Sequence, residues 1–285
     1  MEKVALELNN VSKQYKDFTL ENISFKVPQG SIVGLIGENG AGKSTTLNAV
    51  LGLIHKDGGT VTILGKTDID TVCKENIGVV FDGNNYPDML TPRQLGKVFE
   101  NIYDTWSRKK YEELLKRFRL PSDKKIKTLS KGMKMKYAIS VAFSHASKLL
   151  ILDEATSGLD PVIREEILDM LLDFIQDEEN SILISSHITS DLEKVADYIV
   201  FIHNGKIVFS KPKDELLESY GIIKCGAGLF DEIDKEEITA YRKLDYEWQV
   251  LVENRQSAQK KYPKALIVPA SIDEIMLMYV KGEAK

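Results

Sequence analysis

The chain has 285 residues, 43% hydrophobic and 28% charged, enough for one large core with a smaller unit beside it. Its 38 basic and 43 acidic residues leave a net charge of −5, without the basic footprint of a nucleic-acid binder. No run approaches the ~20 apolar residues that span a bilayer, residues 1–8 alternate like a strand and not a signal peptide, and the two distant cysteines, Cys73 and Cys225, suggest no disulfide framework and a cytosolic chain.

Residues 1 to about 82 read mostly as strands, over 4–8, 23–27, 31–36, 59–64 and 77–81. The third strand runs into Gly37-Glu38-Asn39-Gly40-Ala41-Gly42-Lys43-Ser44 and then Thr45-Thr46-Leu47, which opens a helix. Strand, glycine loop and helix in the spacing G-x-x-x-x-G-K-[ST] place backbone N–H groups around phosphate oxygens at a helix N-terminus. Gly37, Asn39, Gly40, Gly42, Lys43, Ser44 and Thr45 are therefore nucleotide-binding candidates. Lys43 is placed for the β- and γ-phosphates and the Ser44 hydroxyl for a Mg²⁺ shell. The plainer alternative is a glycine turn before an ordinary helix.

From about 84 to 144 the pattern is helical. Thr91-Pro92 caps a helix bearing Leu95, Val98, Phe99, Ile102 and Tyr103, and a second helix carries Tyr111, Leu114, Leu115 and Phe118 before Pro121. The apolar run 149–152 then reads as a buried parallel strand ending in Asp153-Glu154. Ligands of open α/β sheets bind at that end of the strands. Asp153 is placed to hold Mg²⁺ directly or through water, and Glu154 to polarise an attacking water; a solvated acidic turn is the alternative. Asp160-Pro161 caps a helix with Ile167, Met170, Leu171 and Phe174 inward, the strand 181–184 ends in Ser185-Ser186-His187, and Ser190 with Glu193 has the spacing of a capping box. Two strands over 198–202 and 206–209 flank Asn204-Gly205, a hairpin turn. Beyond about 215 come a short helix over 214–219, then strand, helix, strand and helix over 248–252, 256–262, 265–268 and 271–280.

Together with Leu129-Ser130-Lys131-Gly132-Met133 and Ser157-Gly158-Leu159-Asp160, these motifs resemble, in order and spacing, the ATP-binding subunit of ABC transporters over residues 1 to about 215. The resemblance implies an α/β fold: a P-loop (RecA-like) ABC ATPase core with an antiparallel β subdomain and a helical subdomain at 84–144. Residues 1–215 form that domain, and 216–285 a small C-terminal α+β appendage, whose role is dimer contact, regulation or structural padding. It implies two cassettes meeting head to tail around two MgATP, each ATP lying between one phosphate loop and the Ser130–Gly132 segment of the other chain, with a separate transmembrane permease subunit as further partner. The chain then works at the cytoplasmic face of the membrane. Catalysis falls to Lys43, Glu154 and His187, and metal binding to Ser44, Asp82 and Asp153. Tyr15 matches the aromatic that stacks on adenine, a strand-surface tyrosine being the alternative, and Asp160 is an interface residue, a helix cap or both.

Two positions depart from the family. Asp82 stands where most members carry a glutamine, and Lys131 replaces the usual glycine of the signature, either toward a γ-phosphate or toward solvent. Residues 84–90 sit where members receive a short helix of the membrane subunit, unless their apolar side chains are ordinary core. These variants and the ending 271–282 resemble exporter ATPases of the type-2 ABC class, phenol-soluble modulin, peptide-export and resistance ATPases among them. The competing function is an ABC-type ATPase not tied to a membrane; the single cassette, the absence of a long coiled-coil insert and the acidic charge argue against ribosome and DNA versions. A module that binds ATP without hydrolysing it conflicts with the intact Glu154.

Overall fold

The computed structural model describes residues 3–67, 74–83 and 85–284; Cys73 and Asn84, named above, lie outside them. A six-stranded sheet in the order β5-β6-β7-β3-β8-β9 forms the centre, built from Ile77–Val80, Leu149–Asp153, Ser181–Ser186, Ile32–Ile36, Tyr198–His203 and Lys206–Pro212 respectively. All neighbours are parallel except β8 and β9. The hairpin between those two turns on Asn204 and Gly205, at φ 46° and 73°. Both values lie in the left-handed region that Asn and Gly tolerate and that matches strand twist.

The two faces of the sheet bury alternate residues, as the two-residue period of a strand requires. Ile32, Ile36, Leu150, Leu152, Ile182 and Ile184 face one core with the helical segment. Val33, Leu35, Leu149, Ile151 and Leu183 face a second core, shared with the helix Lys43–Val50 and a three-stranded antiparallel sheet. That smaller sheet has the order β2-β1-β4, from Thr19–Pro28, Val4–Gln14 and Gly58–Ile63. β1 and β2 run beyond the predicted 4–8 and 23–27, and their register shifts between Leu8 and Val11 and again between Val11 and Lys13. Asn10 and Asn22, both at φ 51°, bend the strands there and break the alternation that marks a strand in sequence.

The helical segment contains Pro92–Glu100, Arg108–Arg117 and Lys131–Ala142. Thr91 and Gln94 close a capping box on the first, which stops at Glu100, before Ile102 and Tyr103. Tyr86, Phe99, Trp106, Tyr111 and Tyr137 pack edge-on or tilted around its core, with centroids of 4.8 Å for Tyr86 and Tyr137 and 5.1 Å for Trp106 and Tyr111. Tyr86 and Leu90 pack half-buried against this core, while Met89 between them is 56% exposed.

Helix Thr189–Val195 lacks the predicted Ser190/Glu193 box: Glu193 Oε1 instead accepts from the Ile272 N–H at 3.0 Å. That amide opens the helix Ile272–Lys281, whose own Ser271/Glu274 box does form. The C-terminal segment holds more than the predicted strands, with a five-stranded sheet in the order β13-β10-β12-β11-β14, from Leu266–Pro269, Gly221–Cys225, Trp248–Val252, Ala240–Lys243 and Glu283–Ala284. Neighbouring residues of β10 face opposite ways, Ile222 into the core of the helical segment and Ile223 into a small core with Val250, Val252 and the buried Cys225. Ile272, Ile275 and Met278 also join the large core, each burial worth about 1.5–3 kcal/mol.

His145 is buried at the end of the helical segment, stacked on Tyr103 at 4.2 Å, with Nδ1 2.9 Å from the Glu75 carbonyl oxygen. Burial holds its pKa below the ordinary histidine value, against the raising effect of the Glu75 contact. A depressed folded pKa gives stability that is present above the unfolded value, near 6.5, and is lost as pH falls through the folded value. The melting temperature should therefore drop as pH falls below about 6.5, and His145→Gln should flatten that slope; equal slopes for both proteins would refute the assignment.

Candidate nucleotide site

β3 is buried throughout and delivers the chain to the glycine loop at its C-terminal end. Gly37 has to be glycine, because a Cβ there would lie 2.4 Å from the Ile202 carbonyl oxygen of β8. Gly42, at φ 116°, is the N-cap of helix Lys43–Val50, and no described side chain caps that helix end. Its first N–H groups therefore face the loop, the arrangement that receives phosphate. Lys43 is only 6% exposed and its ammonium donates to the Gly37 carbonyl at 2.8 Å and the Glu38 carbonyl at 3.3 Å. Ser44 is exposed at the same helix end, with Thr45 half-buried beside it.

The register of the parallel strands brings the other chemistry to this point. Asp153 pairs with Ser185 across β6 and β7, and Ser185 with Leu35 across β7 and β3. Glu154 follows at φ 52°, a left-handed conformation that costs a glutamate energy and turns its side chain out of the strand line. Its Oε1 lies 3.3 Å from Lys43 Nζ and its Oε2 2.6 Å from His187 Nδ1. A carboxylate only accepts, so the His187 proton sits on Nδ1 and Nε2 is the ring nitrogen left to face a ligand. The Ser185 hydroxyl donates to Asp153 Oδ1 at 2.5 Å and accepts from the Glu154 N–H at 3.1 Å, fixing both acidic residues at once. Sequence reasoning gave Ser185 no role of its own; its signal was the small hydroxyl immediately before the serine–histidine pair.

The remaining candidates lie around this cluster. Tyr15 is 43% exposed, in the turn between β1 and β2, with the Lys13 ammonium 5.7 Å from its ring centroid. Asp57 holds that turn by accepting from the Gln14 N–H at 2.7 Å and the Lys13 ammonium at 2.9 Å. The Gln14 N–H first, and then Lys13, hold the Asp57 carboxyl below its ordinary range. Nothing in the sequence pointed to Asp57. Ser130 caps helix Lys131–Ala142 by accepting from the Met133 N–H at 3.3 Å, and Asp160 caps Pro161–Phe174 through Val162 and Ile163. Asp82 faces Lys131, with Oδ1 3.6 Å from the ammonium. The structure thus joins Lys43, Glu154 and His187 directly, and Asp153 through Ser185. Among the described residues no hydrogen bond or ion pair ties Tyr15, Ser130, Gly132 or Asp82 to that group.

These residues fit a nucleoside triphosphate: a lysine, a helix end open to phosphate and an exposed aromatic ring. Among the described residues no trio of His, Cys, Asp or Glu could hold a metal alone. The Asp153 carboxylate and the exposed Ser44 hydroxyl are hard oxygen donors of the kind magnesium takes alongside water and substrate phosphates. The fold and the site define a P-loop ATPase of the ATP-binding-cassette class.

The comparisons agree. The ABC transporter family profile matches residues 20–157. The ABC transporter ATP-binding protein YtrB of Bacillus subtilis is 28% identical over 98% of this chain and 99% of its own. The lantibiotic transport ATP-binding protein SrtF of Streptococcus pyogenes is 35% identical, over 73% of this chain and 91% of its own. A solved ATP-binding subunit of an ABC transporter superposes with a TM-score of 0.67 at 30% identity, over 74% of this chain and 91% of that one. The chain belongs to the family of ABC transporter ATP-binding proteins, and its reaction is ATP hydrolysis. The YtrB match includes most of the C-terminal segment, which is therefore shared with at least one relative.

Ser185→Ala would remove the hydroxyl donor of the buried Asp153 carboxylate and leave the Glu154 N–H with the Ser185 carbonyl alone. It should cost about 1–3 kcal/mol in urea unfolding, with Ser185→Thr recovering most of it; an unchanged unfolding midpoint for the alanine variant would contradict the double role.

Proposed function

We propose that this protein is the energy-coupling subunit of a bacterial exporter: it closes with a second cassette around two MgATP and drives a separate permease. The observation that carries the reading is the contact chain Lys43–Glu154–His187 at the ends of three parallel strands. In it Glu154 is the general base or water-orienting group, His187 holds the attacking water beside the γ-phosphate by accepting its O–H on Nε2, and Lys43 neutralises the β- and γ-phosphates. Asp153 and Ser44 are the groups that would hold magnesium; Asp82, the third residue the sequence offered, is engaged by Lys131 instead. When bound, the ion supplies charge neutralisation on the phosphate oxygens. Tyr15 stacks on adenine, the amides of Gly37, Asn39, Gly40, Gly42 and Thr45 line the triphosphate, and Ser130 and Gly132 serve the nucleotide of the second cassette.

The permease surface follows from the edge of the central sheet. β5 is an edge strand, and beside it lies a mostly apolar hollow of about 250 Å³ lined by Leu51, Leu53, Ile77, Val79, Phe81 and Tyr103, with Lys74 on its wall. Leu53 is itself 60% exposed, so part of this lining is open to solvent. An apolar hollow on an edge strand suits a short helix of a membrane chain better than it suits water. In this reading the docking surface lies at the loop after the first helix and the end of β5, beside the segment 84–90. No helix of the described residues is long and apolar enough to cross a membrane. A separate permease would therefore hold the protein at the cytoplasmic face. The lantibiotic relative supports a peptide, toxin or drug as cargo.

Glu154→Gln should lower ATP turnover at least about 100-fold and accumulate an ATP-bound dimer on size exclusion. Turnover at the wild-type rate would remove Glu154 from the chemistry. Lys43→Ala should abolish binding of a fluorescent ATP analogue; undiminished affinity would refute the phosphate site.

A further inference from the structure

The two departures from the family pattern meet in space. Lys131 Nζ lies 3.6 Å from Asp82 Oδ1, and the two side chains are 57% and 52% exposed, so packing fixes neither of them. They come from different parts of the fold, Asp82 just beyond the catalytic end of β5 and Lys131 from the first position of helix Lys131–Ala142. A Cβ built on Gly158 would lie 3.4 Å from the same ammonium, so Lys131 also overhangs the segment 157–160. A cation in the first turn of a helix sits at the positive end of the dipole and is disfavoured there. Lys134 adds a second positive charge one turn further on. Asp82 supplies the anion that makes the position tolerable, but an exposed pair of this kind is weak and exchanges readily for a stronger anion.

Resting on the head-to-tail reading given above, we propose that this ion pair is exchangeable: Asp82 holds Lys131 within one chain, and the ammonium passes to the γ-phosphate of the nucleotide bound by a second copy as the copies close. Lys131 is then a binding residue for that second nucleotide, and Asp82 a positioning residue that competes for it. A triphosphate carries more charge than a carboxylate and takes stronger charge-assisted hydrogen bonds, so the exchange runs toward the closed pair. Closure also frees Asp82 beside its own chain's nucleotide, so that occupancy of one site is felt at the other.

The test measures dimerisation and not turnover, by sedimentation of Glu154→Gln protein with ATP and Mg²⁺ over a range of salt. Adding Lys131→Met should weaken the dimer at least about tenfold. Adding Asp82→Asn should tighten it about two- to fivefold by removing the competitor. In the protein carrying both, the Asp82→Asn gain should vanish, because it acts only through Lys131. A gain that persists without Lys131, or a dimer weakened by Asp82→Asn, overturns the exchange while leaving the two-copy reading standing. A Glu154→Gln protein that never dimerises with ATP overturns that reading and the exchange with it. Both side chains are exposed, and circular dichroism and melting curves confirm that each variant folds.

Discussion

The parallel register of β3, β6 and β7 is the constraint on which the site depends. It sets Leu35, Ser185 and Asp153 side by side, so the residues just beyond them emerge at one edge of the sheet. A slip of one residue would shift a strand by about 3.3 Å and turn every side chain to the other face. Leu183 would then leave one core for the other, and Asp153 would lose Ser185. The two buried cores therefore hold the catalytic geometry as well as the fold, because the alternation that satisfies them permits only this alignment.

Within that frame, electrostatics decide the local conformation. Lys43 and Glu154 are nearly buried, and a buried pair recovers its desolvation cost only with further hydrogen bonds. The Gly37 and Glu38 carbonyls serve Lys43, and His187 serves Glu154. The left-handed backbone of Glu154 is the strained member, and its amide is held by both the carbonyl and the hydroxyl of Ser185. Strain retained at this one residue directs its carboxylate toward lysine and histidine together, which an extended strand end would not do.

Much of this was legible in the sequence where the requirement is local. The glycine loop, the Asn204-Gly205 turn, the Thr91 and Ser271 caps and the apolar strands each express a backbone requirement within a few residues. What escaped was set by distant partners. Glu193 has the spacing of a cap for its own helix, yet its carboxylate serves an amide 79 residues away. β10 and β11 are short and become strands only by pairing with β12, and Asp57 reaches Gln14 across 43 residues. Bulges at Asn10 and Asn22 hid half of two long strands by interrupting the period that would reveal them.

The Glu193 contact also bears on what the C-terminal segment does. Helix Thr189–Val195 begins two residues after His187 and is gripped from both sides. On one side Arg164 reaches the buried Asp191 at 3.8 Å and the Leu159 carbonyl at 3.4 Å, while Lys194 pairs with Glu165 at 2.6 Å. These contacts tie it to the segment around Asp160. On the other side Glu193 caps helix Ile272–Lys281 and its carbonyl accepts from the Lys213 ammonium at 3.0 Å. Because Ile272, Ile275 and Met278 lie in the large core, the C-terminal helix cannot move as a loose appendage. The C-terminal helix is therefore packed into the same core as the helix that follows His187 and bonded to it through Glu193, and is not set apart from the catalytic edge. Among the described residues no hydrogen bond or ion pair joins a side chain beyond residue 215 to Lys43, Glu154 or His187.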